Sequence, residues 1–464
     1  MTDHKGKKDV VWILANHLVN RNYEDLNPET IEVTKKCLLD TIGVIVAASG
    51  IIPECRLLVD LIKEGGGKEE STILGFGGRV PAWMAAFANG AMGHCLDYDD
   101  LQYEVPVHPS SPVVSASLAI AERLGNVSGK ELITAIALGN DLICRMGLSI
   151  HWKMDWNVTT VLGAFGAAAA AGKLLKLNET AMVSALGIAL SEAAGTQEMR
   201  YSMGNHMGGL RDGYPARGGA LSALMAKQGI LGPENCLEGR AGLFNLYFDG
   251  VYNREVLVAD LGKRFEGINV GIKAWPTCGT SHVYIDATLR IVTDHDLHPQ
   301  EIESITLYVG DFAMLHCQPL EERRRPPTTA DAKYSIPFSS AVAATKRRVL
   351  IGDLTPEGIK DPAVLHMAQK VSPKLDTRFN AKKGEPPGMV EITTKEGKCF
   401  SQRLDVGYGH PHNPISKEDV INKFWDCISY SARPLSKEAA EKVFETVIDL
   451  ERVQDIGSFI RLLS

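Results

Sequence analysis

Acid–base side chains are concentrated in one short stretch of this sequence, between residues 94 and 108. The stretch contains six such groups, namely His94, Asp97, Asp99, Asp100, Glu104 and His108. It follows an apolar segment that predicts a helix beginning at Pro81. That helix would deliver three carboxylates to its own C-terminal end, where the helix dipole repels anions. Such an unfavourable arrangement is typical of a functional site, so we place the active site here.

The residue types in this stretch suit proton transfer. A histidine has an unperturbed pKa near neutrality, so His108 is a candidate general base, and Asp97 is the carboxylate expected to orient its ring. Simpler interpretations stay open, because aspartates also stabilise turns and His108 could be a loop histidine between prolines. His94 is better explained as a packed, hydrogen-bonded histidine. Leu101 breaks the calcium-loop pattern, so we expect no metal.

The composition of the chain excludes several classes of function. The 464 residues are 45% hydrophobic and 23% charged, with a formal net charge of -7. This is the balance of a globular protein with two or three domains, and it gives no reason to expect nucleic acid or a membrane as a partner. The nine cysteines form no C-x-x-C pair, and no signal peptide is recognisable. These features predict reduced thiols and a cytoplasmic protein.

Hydrophobic periodicity predicts a mainly α fold. Apolar residues recur at helical spacing over 9–20, 28–48, 53–65, 113–125, 128–150, 158–175, 179–194 and 215–229. Strand-like alternation follows at 302–310, with a hairpin at 389–406, and helical spacing returns from Ser416. We therefore predict a large all-helical domain formed by both chain ends, residues 1–268 and 406–464. A smaller α+β domain, residues 269–405, would be inserted between them.

Five motifs occur in order along the chain and together resemble one family. They are HCLDYDD at 94–100, HPSS at 108–111, KAWPTCGTSH at 273–282, AKYSIPF at 332–338 and GYGHPHNPIS at 407–416. This pattern resembles the MmgE/PrpD family, which includes 2-methylcitrate dehydratase, cis-aconitate decarboxylase and iminodisuccinate epimerase. The resemblance implies that the α+β domain is a lid and that the protein is a homodimer. It also implies chemistry at the carbon next to a carboxylate, without metal or cofactor.

The resemblance carries over to individual positions. It implies that Asp97, His108 and Lys273 are catalytic, although Lys273 could also be a surface lysine. We predict that the substrate is bound by Arg211, Cys278 and Asn157. His206 and Tyr201, in the same glycine-rich connector as Arg211, are further candidate proton donors. Several positions depart from the family pattern: Leu101 replaces a small hydroxyl residue, Asn157 a histidine, Gly208 a lysine, Arg211 a histidine and Phe338 a tyrosine.

These observations predict a cofactor-independent lyase or epimerase that transfers a proton next to a carboxylate of a small di- or tricarboxylate. The departures argue against the known dehydratase and decarboxylase substrates. Cys278 and the spacing of eight residues from Asp100 to His108 favour the epimerase branch. The alternative is a catalytically silent member that binds a carboxylate or serves as a dimeric scaffold. Convergence of Asp97, His108 and Lys273 would argue against silence.

Overall fold

The computed structural model describes residues 8–153, 155–202, 204–381 and 384–464, without the side chains of residues 200 and 201. The side chain of Tyr201, one of the candidate proton donors, therefore lies outside the described part. The protein is 57% helical and 10% strand, which confirms the prediction of a mainly α fold.

The first part of the chain consists almost entirely of α-helices. They are α1 (Val10–Asn20), α2 (Pro28–Ile51), α3 (Pro53–Gly65), α4 (Ala82–Cys95), α5 (Ser110–Leu124), α6 (Gly129–Ser149), α7 (Val158–Leu174), α8 (Glu179–Ala189), α9 (Glu198–Tyr201), α10 (Met207–Leu210), α11 (Gly213–Lys227), α12 (Leu243–Tyr247) and α13 (Arg254–Val258). The longer helices begin and end within a few residues of the predicted ranges. α6 begins at the predicted capping box, because the side chains of Ser128 and Glu131 each accept the other's backbone N–H.

Strands are short in the first part and form a sheet in the second. Two small antiparallel pairs join β1 (Ser71–Thr72) to β2 (Arg79–Val80) and β3 (Leu101–Gln102) to β4 (Val270–Gly271). The four-stranded sheet has the order β6-β5-β7-β8, from β5 (Ile302–Val309), β6 (Val371–Leu375), β7 (Gly388–Thr394) and β8 (Cys399–Leu404). β5 and β6 are parallel, whereas β7 is antiparallel to both β5 and β8. The predicted strand and hairpin are therefore confirmed.

Further helices surround this sheet and close the chain. They are α14 (His282–Asp294), α15 (Asp311–Met314), α16 (Leu320–Arg324), α17 (Thr329–Lys333), α18 (Ile336–Lys346), α19 (Pro362–Ala368), α20 (Lys417–Ile428), α21 (Lys437–Ile448) and α22 (Gly457–Arg461). α20 begins where the sequence predicts, because the Ser416 side chain accepts the N–H of Asp419.

In the described part of the chain, buried apolar side chains form two clusters. The first draws on helices α1 to α8 and α11 to α13, and the second lies within residues 275–392. Val420, Phe424 and Cys427 of α20 belong to the first cluster, so the end of the chain packs against its beginning. The exact domain boundaries stay a prediction.

The central helices of the first cluster approach one another closely. A Cβ atom on Gly90 of α4 would lie 2.7 Å from Cβ of Ala216, and one on Gly213 would lie 2.6 Å from the carbonyl oxygen of Phe87. Only glycine permits such contacts without displacement of a neighbour. The C-terminal end of α4, which carries the acidic stretch, is therefore held in a densely packed core.

Within the described residues, α6 is long and apolar enough to cross a membrane, but 94% of its apolar window is buried inside the protein. The pair α2 and α3 meets the same test only as one span, and it bends by 93° at the break. Burial of this kind is the behaviour of core helices.

Candidate active site

The acidic stretch forms a tight turn where α4 ends. Asp97 adopts a left-handed backbone conformation with φ of 50°, and its N–H donates to the carbonyl group of His94 at 2.7 Å. A non-glycine residue rarely takes this conformation, and such outliers cluster at functional sites. The turn buries the carboxylates of Asp97, Asp99 and Asp100, whose residues are 5%, 0% and 0% exposed.

Three buried lysines surround this turn; we call them the lysine clamp. They come from three distant segments, and each ammonium group donates to a backbone carbonyl group of the turn: Lys333 to Cys95, Lys273 to Asp97 (2.9 Å) and Lys423 to Tyr98 (2.6 Å). Lys423 also donates to the carbonyl group of Lys273 at 3.0 Å and forms an ion pair with the buried Asp40 of α2. Cations at a helix C-terminus are favourable, because they face the negative end of the helix dipole. The clamp therefore explains how the fold tolerates three carboxylates at this position.

Lys273 also forms an ion pair with Asp97, through direct contact of its ammonium group with the carboxylate. Burial alone would raise the pKa of Asp97, but the charge of Lys273 outweighs it and holds the pKa below its usual range. Burial likewise opposes the charged form of Lys273, yet Asp97 keeps its pKa raised. Lys273 is 0% exposed, so the alternative of a surface lysine is wrong.

Asp99 lies between the two histidines of the stretch. Its Oδ2 atom is 3.0 Å from Nδ1 of His94 and 3.2 Å from Nδ1 of His108. The two rings meet edge to face, with centroids 4.6 Å apart. The carboxylate that contacts His108 is therefore Asp99, whereas the sequence assigned this contact to Asp97. The reason is that Lys273 already occupies the Asp97 carboxylate.

One buried cluster results, formed by His94, Asp97, Asp99 and His108. One nitrogen or oxygen atom from each of these side chains lies within 4.8 Å of the others. These are also metal-ligand types, but Lys273 already places a positive charge on Asp97. Both rings, moreover, direct the same type of nitrogen at one carboxylate. The cluster therefore fits acid–base chemistry better than a metal, and metal-free chemistry stays a prediction.

Asp100 has a structural role in the turn. It accepts the N–H of Ser110 at 3.2 Å and the hydroxyl of Ser110 at 2.6 Å, and Asn140 donates to that hydroxyl oxygen at 2.9 Å. Burial raises the pKa of Asp100 to about 7, against the lowering effect of the Ser110 hydroxyl. Asp100 thus ties the first turn of α5 to the acidic stretch.

Arg211 lies close enough to the cluster to act on it electrostatically. Its side chain is 12% exposed, and its Nε atom is 3.5 Å from Oδ1 of Asp212. Burial lowers the pKa of His94, and the charge of Arg211 lowers it further. No hydrogen-bond partner for Nε of Arg211 occurs in the described part of the chain. Such a guanidinium group is best suited to donate its hydrogen bonds to a substrate carboxylate.

Asn157 and Cys278 have identified local contacts, and their predicted substrate-binding roles stay predictions. The Asn157 side chain caps α7 by accepting the N–H of Thr160 at 3.0 Å. α7 nevertheless begins at the site, because the hydroxyl of Thr159 accepts the N–H of His108 at 3.0 Å. Cys278 is partly exposed, and its N–H donates to the carbonyl group of Lys333 at 2.9 Å.

The sequence analysis missed several groups that the fold brings to this site. Asp99 and His94 were visible in the dense stretch, but their spacing alone did not show that they face each other. Asp212 directly follows Arg211, and no sequence motif of its own points to a role at the site. Lys333 lies within the AKYSIPF motif, whereas Lys423 lies in an ordinary amphipathic helix and could not be singled out.

Comparison with known proteins agrees with this arrangement. Residues 13–255 match the model of the MmgE/PrpD N-terminal domain, and residues 275–450 match that of the MmgE/PrpD C-terminal domain. The chain belongs to the MmgE/PrpD family. This confirms the family predicted from the five motifs, and with it the prediction of an enzyme family.

Three curated relatives of this MmgE/PrpD chain are named cis-aconitate decarboxylase. The protein of Aspergillus terreus is 24% identical over 486 residues, covering 100% of this chain and 97% of its own length. The mouse protein is 25% identical over 490 residues, covering 98% of this chain and 93% of its own length. The human protein is 27% identical over 467 residues, covering 94% of this chain and 91% of its own length. The sequence similarity to these relatives therefore extends over nearly the whole of this chain, at low identity.

Proposed function

We propose that this protein is a lyase that acts on a small di- or tricarboxylate by moving a proton at the carbon next to a carboxylate, without a cofactor. The observation that carries the proposal is the buried cluster around Asp97, His108 and Lys273, in a chain whose relatives are decarboxylases. Convergence of these three residues argues against the alternative of a silent member or scaffold.

Removing a proton next to a carboxylate builds up negative charge on the substrate. The reaction needs a base and fixed cations where that charge grows. His108 supplies the base: its Nδ1 lies 3.2 Å from Asp99, and its Nε2 is left for the substrate. Arg211 would hold a substrate carboxylate, and Lys273 would stabilise the developing charge from its place beside Asp97.

An epimerase is the second candidate, favoured by Cys278 and by the spacing of eight residues from Asp100 to His108. Three further positions argue against the known dehydratase and decarboxylase substrates. Where the family resemblance expects a histidine, a lysine and a tyrosine, this chain has Asn157, Gly208 and Phe338. Asn157 caps a helix, Phe338 is 0% exposed in the second core, and the space around a Cβ atom on Gly208 is open to 3.9 Å. None of the three can donate or accept a catalytic proton as the expected residues would.

The test is proton NMR of the protein in heavy water with citrate-like, aconitate-like and aminosuccinate-like compounds. A new alkene or released carbon dioxide would support the lyase. Deuterium entering next to a carboxylate with an unchanged skeleton would support the epimerase instead. If no compound changes, the silent alternative gains support.

Two variants connect the activity to the cluster. His108→Gln should reduce kcat/KM by on the order of 100- to 10,000-fold, the usual contribution of a general base. Asp97→Asn should also abolish turnover, because Lys273 loses its ion-pair partner. His366→Gln and Asp60→Asn, both at exposed helix positions, are the matched controls. Near wild-type turnover in both site variants would contradict the assignment.

We also propose that the protein is a homodimer in a reducing compartment such as the cytoplasm. All nine cysteines are free thiols, which supports the compartment. Leu57 and Leu61, one turn apart on α3, are 69% and 65% exposed and offer an apolar surface for a second copy. Light scattering of the purified protein would measure the mass directly.

A further inference from the structure

Asp99 is hydrogen-bonded to the ring of His94 and lies 3.2 Å from the ring of His108, but only His108 is partly open to a substrate. His94 is 1% exposed and enclosed by the core, whereas His108 is 6% exposed. Asp99 itself is 0% exposed, so its carboxylate is out of contact with bulk solvent. A wholly buried carboxylate between two imidazoles is an unusual arrangement that calls for an explanation.

The charge state of Asp99 determines which ring nitrogens carry protons. Burial would raise its pKa, but His108 and His94 hold it well below the usual range. Nδ1 of His94 lies 3.0 Å from both oxygens of Asp99, which is the geometry of a ring N–H shared by an ionised carboxylate. Such a carboxylate only accepts hydrogen bonds, so Nδ1 of His94 carries a proton, and at 3.2 Å the same carboxylate favours a proton on Nδ1 of His108. In the neutral ring of His108 this leaves the lone pair on Nε2.

His94 contacts the same Oδ2 atom of Asp99 that lies near His108. Its Nδ1 lies 3.0 Å from both oxygen atoms of Asp99 and 3.7 Å from Oδ2 of Asp212. Its Nε2 is buried, with no hydrogen-bond partner among the described residues. His94 therefore cannot exchange protons readily with a substrate. Its contacts restrict the rotation of the Asp99 carboxylate and, through the edge-to-face contact, the plane of the His108 ring.

We propose that Asp99 and His94 are positioning residues: Asp99 fixes His108 as the Nδ1–H tautomer, and His94 holds Asp99 in place while drawing off part of its negative charge. The consequence for turnover rests on the proposed function, but the tautomer does not. The charged and titratable groups that face the two rings are Asp97, Asp99, Asp212, Arg211 and Lys273.

The tautomer can be observed directly by nitrogen NMR of the full-length protein labelled with 15N-histidine. The His108 signals are assigned by their loss in His108→Gln. In the wild type, Nδ1 should be protonated and Nε2 unprotonated. In Asp99→Asn the amide can both donate and accept, so a substantial Nε2–H population should appear. Asp100→Asn removes a carboxylate from the same turn without touching either ring, and it should leave the tautomer unchanged.

The pH dependence of kcat/KM gives a second readout, and a mere loss of packing would not shift it. Asp99→Asn removes a negative charge beside the base, so the acid limb of kcat/KM should move to lower pH. His94→Phe keeps a ring but no longer donates to Asp99. The Asp99 carboxylate then acts more strongly on His108, so the acid limb of kcat/KM should move to higher pH.

Two results would overturn the inference: an Nε2–H tautomer in the wild type, or an unchanged tautomer in Asp99→Asn. Shifts of the acid limb in the same direction for both variants would also contradict it. If Asp99→Asn fails to fold, the wild-type tautomer and the direction of the His94→Phe shift still decide the matter. A wild type that converts no carboxylate but shows the expected tautomer changes would support the positioning role and count against the proposed function.

Discussion

Replacement of Lys273 by methionine should destabilise the protein strongly, because it leaves a buried carboxylate without its partner. Asp97 is 5% exposed and would keep its place in the turn, where the backbone is already in a left-handed conformation. Methionine has a similar length and fills the same space. The variant therefore tests the charge of Lys273 more than its volume.

The expected cost follows from the burial of both partners. Breaking a buried ion pair by removing one member typically costs about 3–5 kcal/mol of unfolding free energy. Replacing both members costs less, so Asp97→Asn/Lys273→Met should be more stable than Lys273→Met alone. Lys176→Met is the matched control. Its side chain is 79% exposed and pairs with Glu131 on the surface, where such pairs contribute about 0–1 kcal/mol.

The loss of unfolding free energy in Lys273→Met should also depend on pH, and it should be larger at high pH. In the wild type the folded-state pKa of Asp97 is lowered. Its contribution to the free energy of unfolding is therefore present above the ordinary aspartate pKa of 3.8 and is lost only in stronger acid. Without Lys273, burial raises the folded-state pKa of Asp97 above that value. The penalty is then complete at high pH and disappears as the pH falls towards 3.8.

Urea unfolding at about pH 8 and about pH 5 measures both effects, with the midpoint and slope recorded for each variant. The difference between wild type and Lys273→Met should be larger at the higher pH, and the double variant should show no such change. A loss below about 1 kcal/mol that is independent of pH would refute the reasoning, since it would place the pair among exposed ion pairs.

The remaining predictions concern stability at two other places. Burial raises the pKa of Asp100 to about 7, so the stability of the wild type should fall as the pH rises from 3.8 through about 7. Asp100→Asn should keep the Ser110 contact and lose this dependence, as urea midpoints across that range would show. Gly129→Ala should destabilise by about 1–3 kcal/mol or more, because its Cβ would lie 1.7 Å from the carbonyl oxygen of Leu450. Gly208→Ala, in open space, should unfold at the wild-type midpoint, and equal effects of the two substitutions would contradict the packing described here.

Local patterns predicted much of the fold because the relevant signals are local. Helical periodicity and the caps at Ser128 and Ser416 depend on neighbours within a few residues, and the structure confirms both caps. β6 was not predicted, because five residues that include Pro373 and pair in parallel with β5 have no alternating pattern to recognise. Parallel pairing depends on a partner far away in sequence.

The site was only partly predictable for the same reason. The dense stretch located it, and the motifs supplied Lys273. Which carboxylate contacts His108 depends on whether Asp97 or Asp99 is already occupied, and that is decided by a lysine 176 residues from Asp97. Lys423, 325 residues from Tyr98, carries no local sign of its role.

The lysine clamp also has a consequence for the order of events during synthesis. Residues 95–98 leave the ribosome long before their partners, which follow 176, 238 and 325 residues later. The segment that matches the family's N-terminal domain, residues 13–255, contains Asp97, Asp99 and His108 but none of the three lysines. A nascent chain therefore cannot complete the clamp around this turn until α20 has been synthesised. The proposed proton-transfer activity would appear only when α20 has docked, which makes it a report on nearly complete folding.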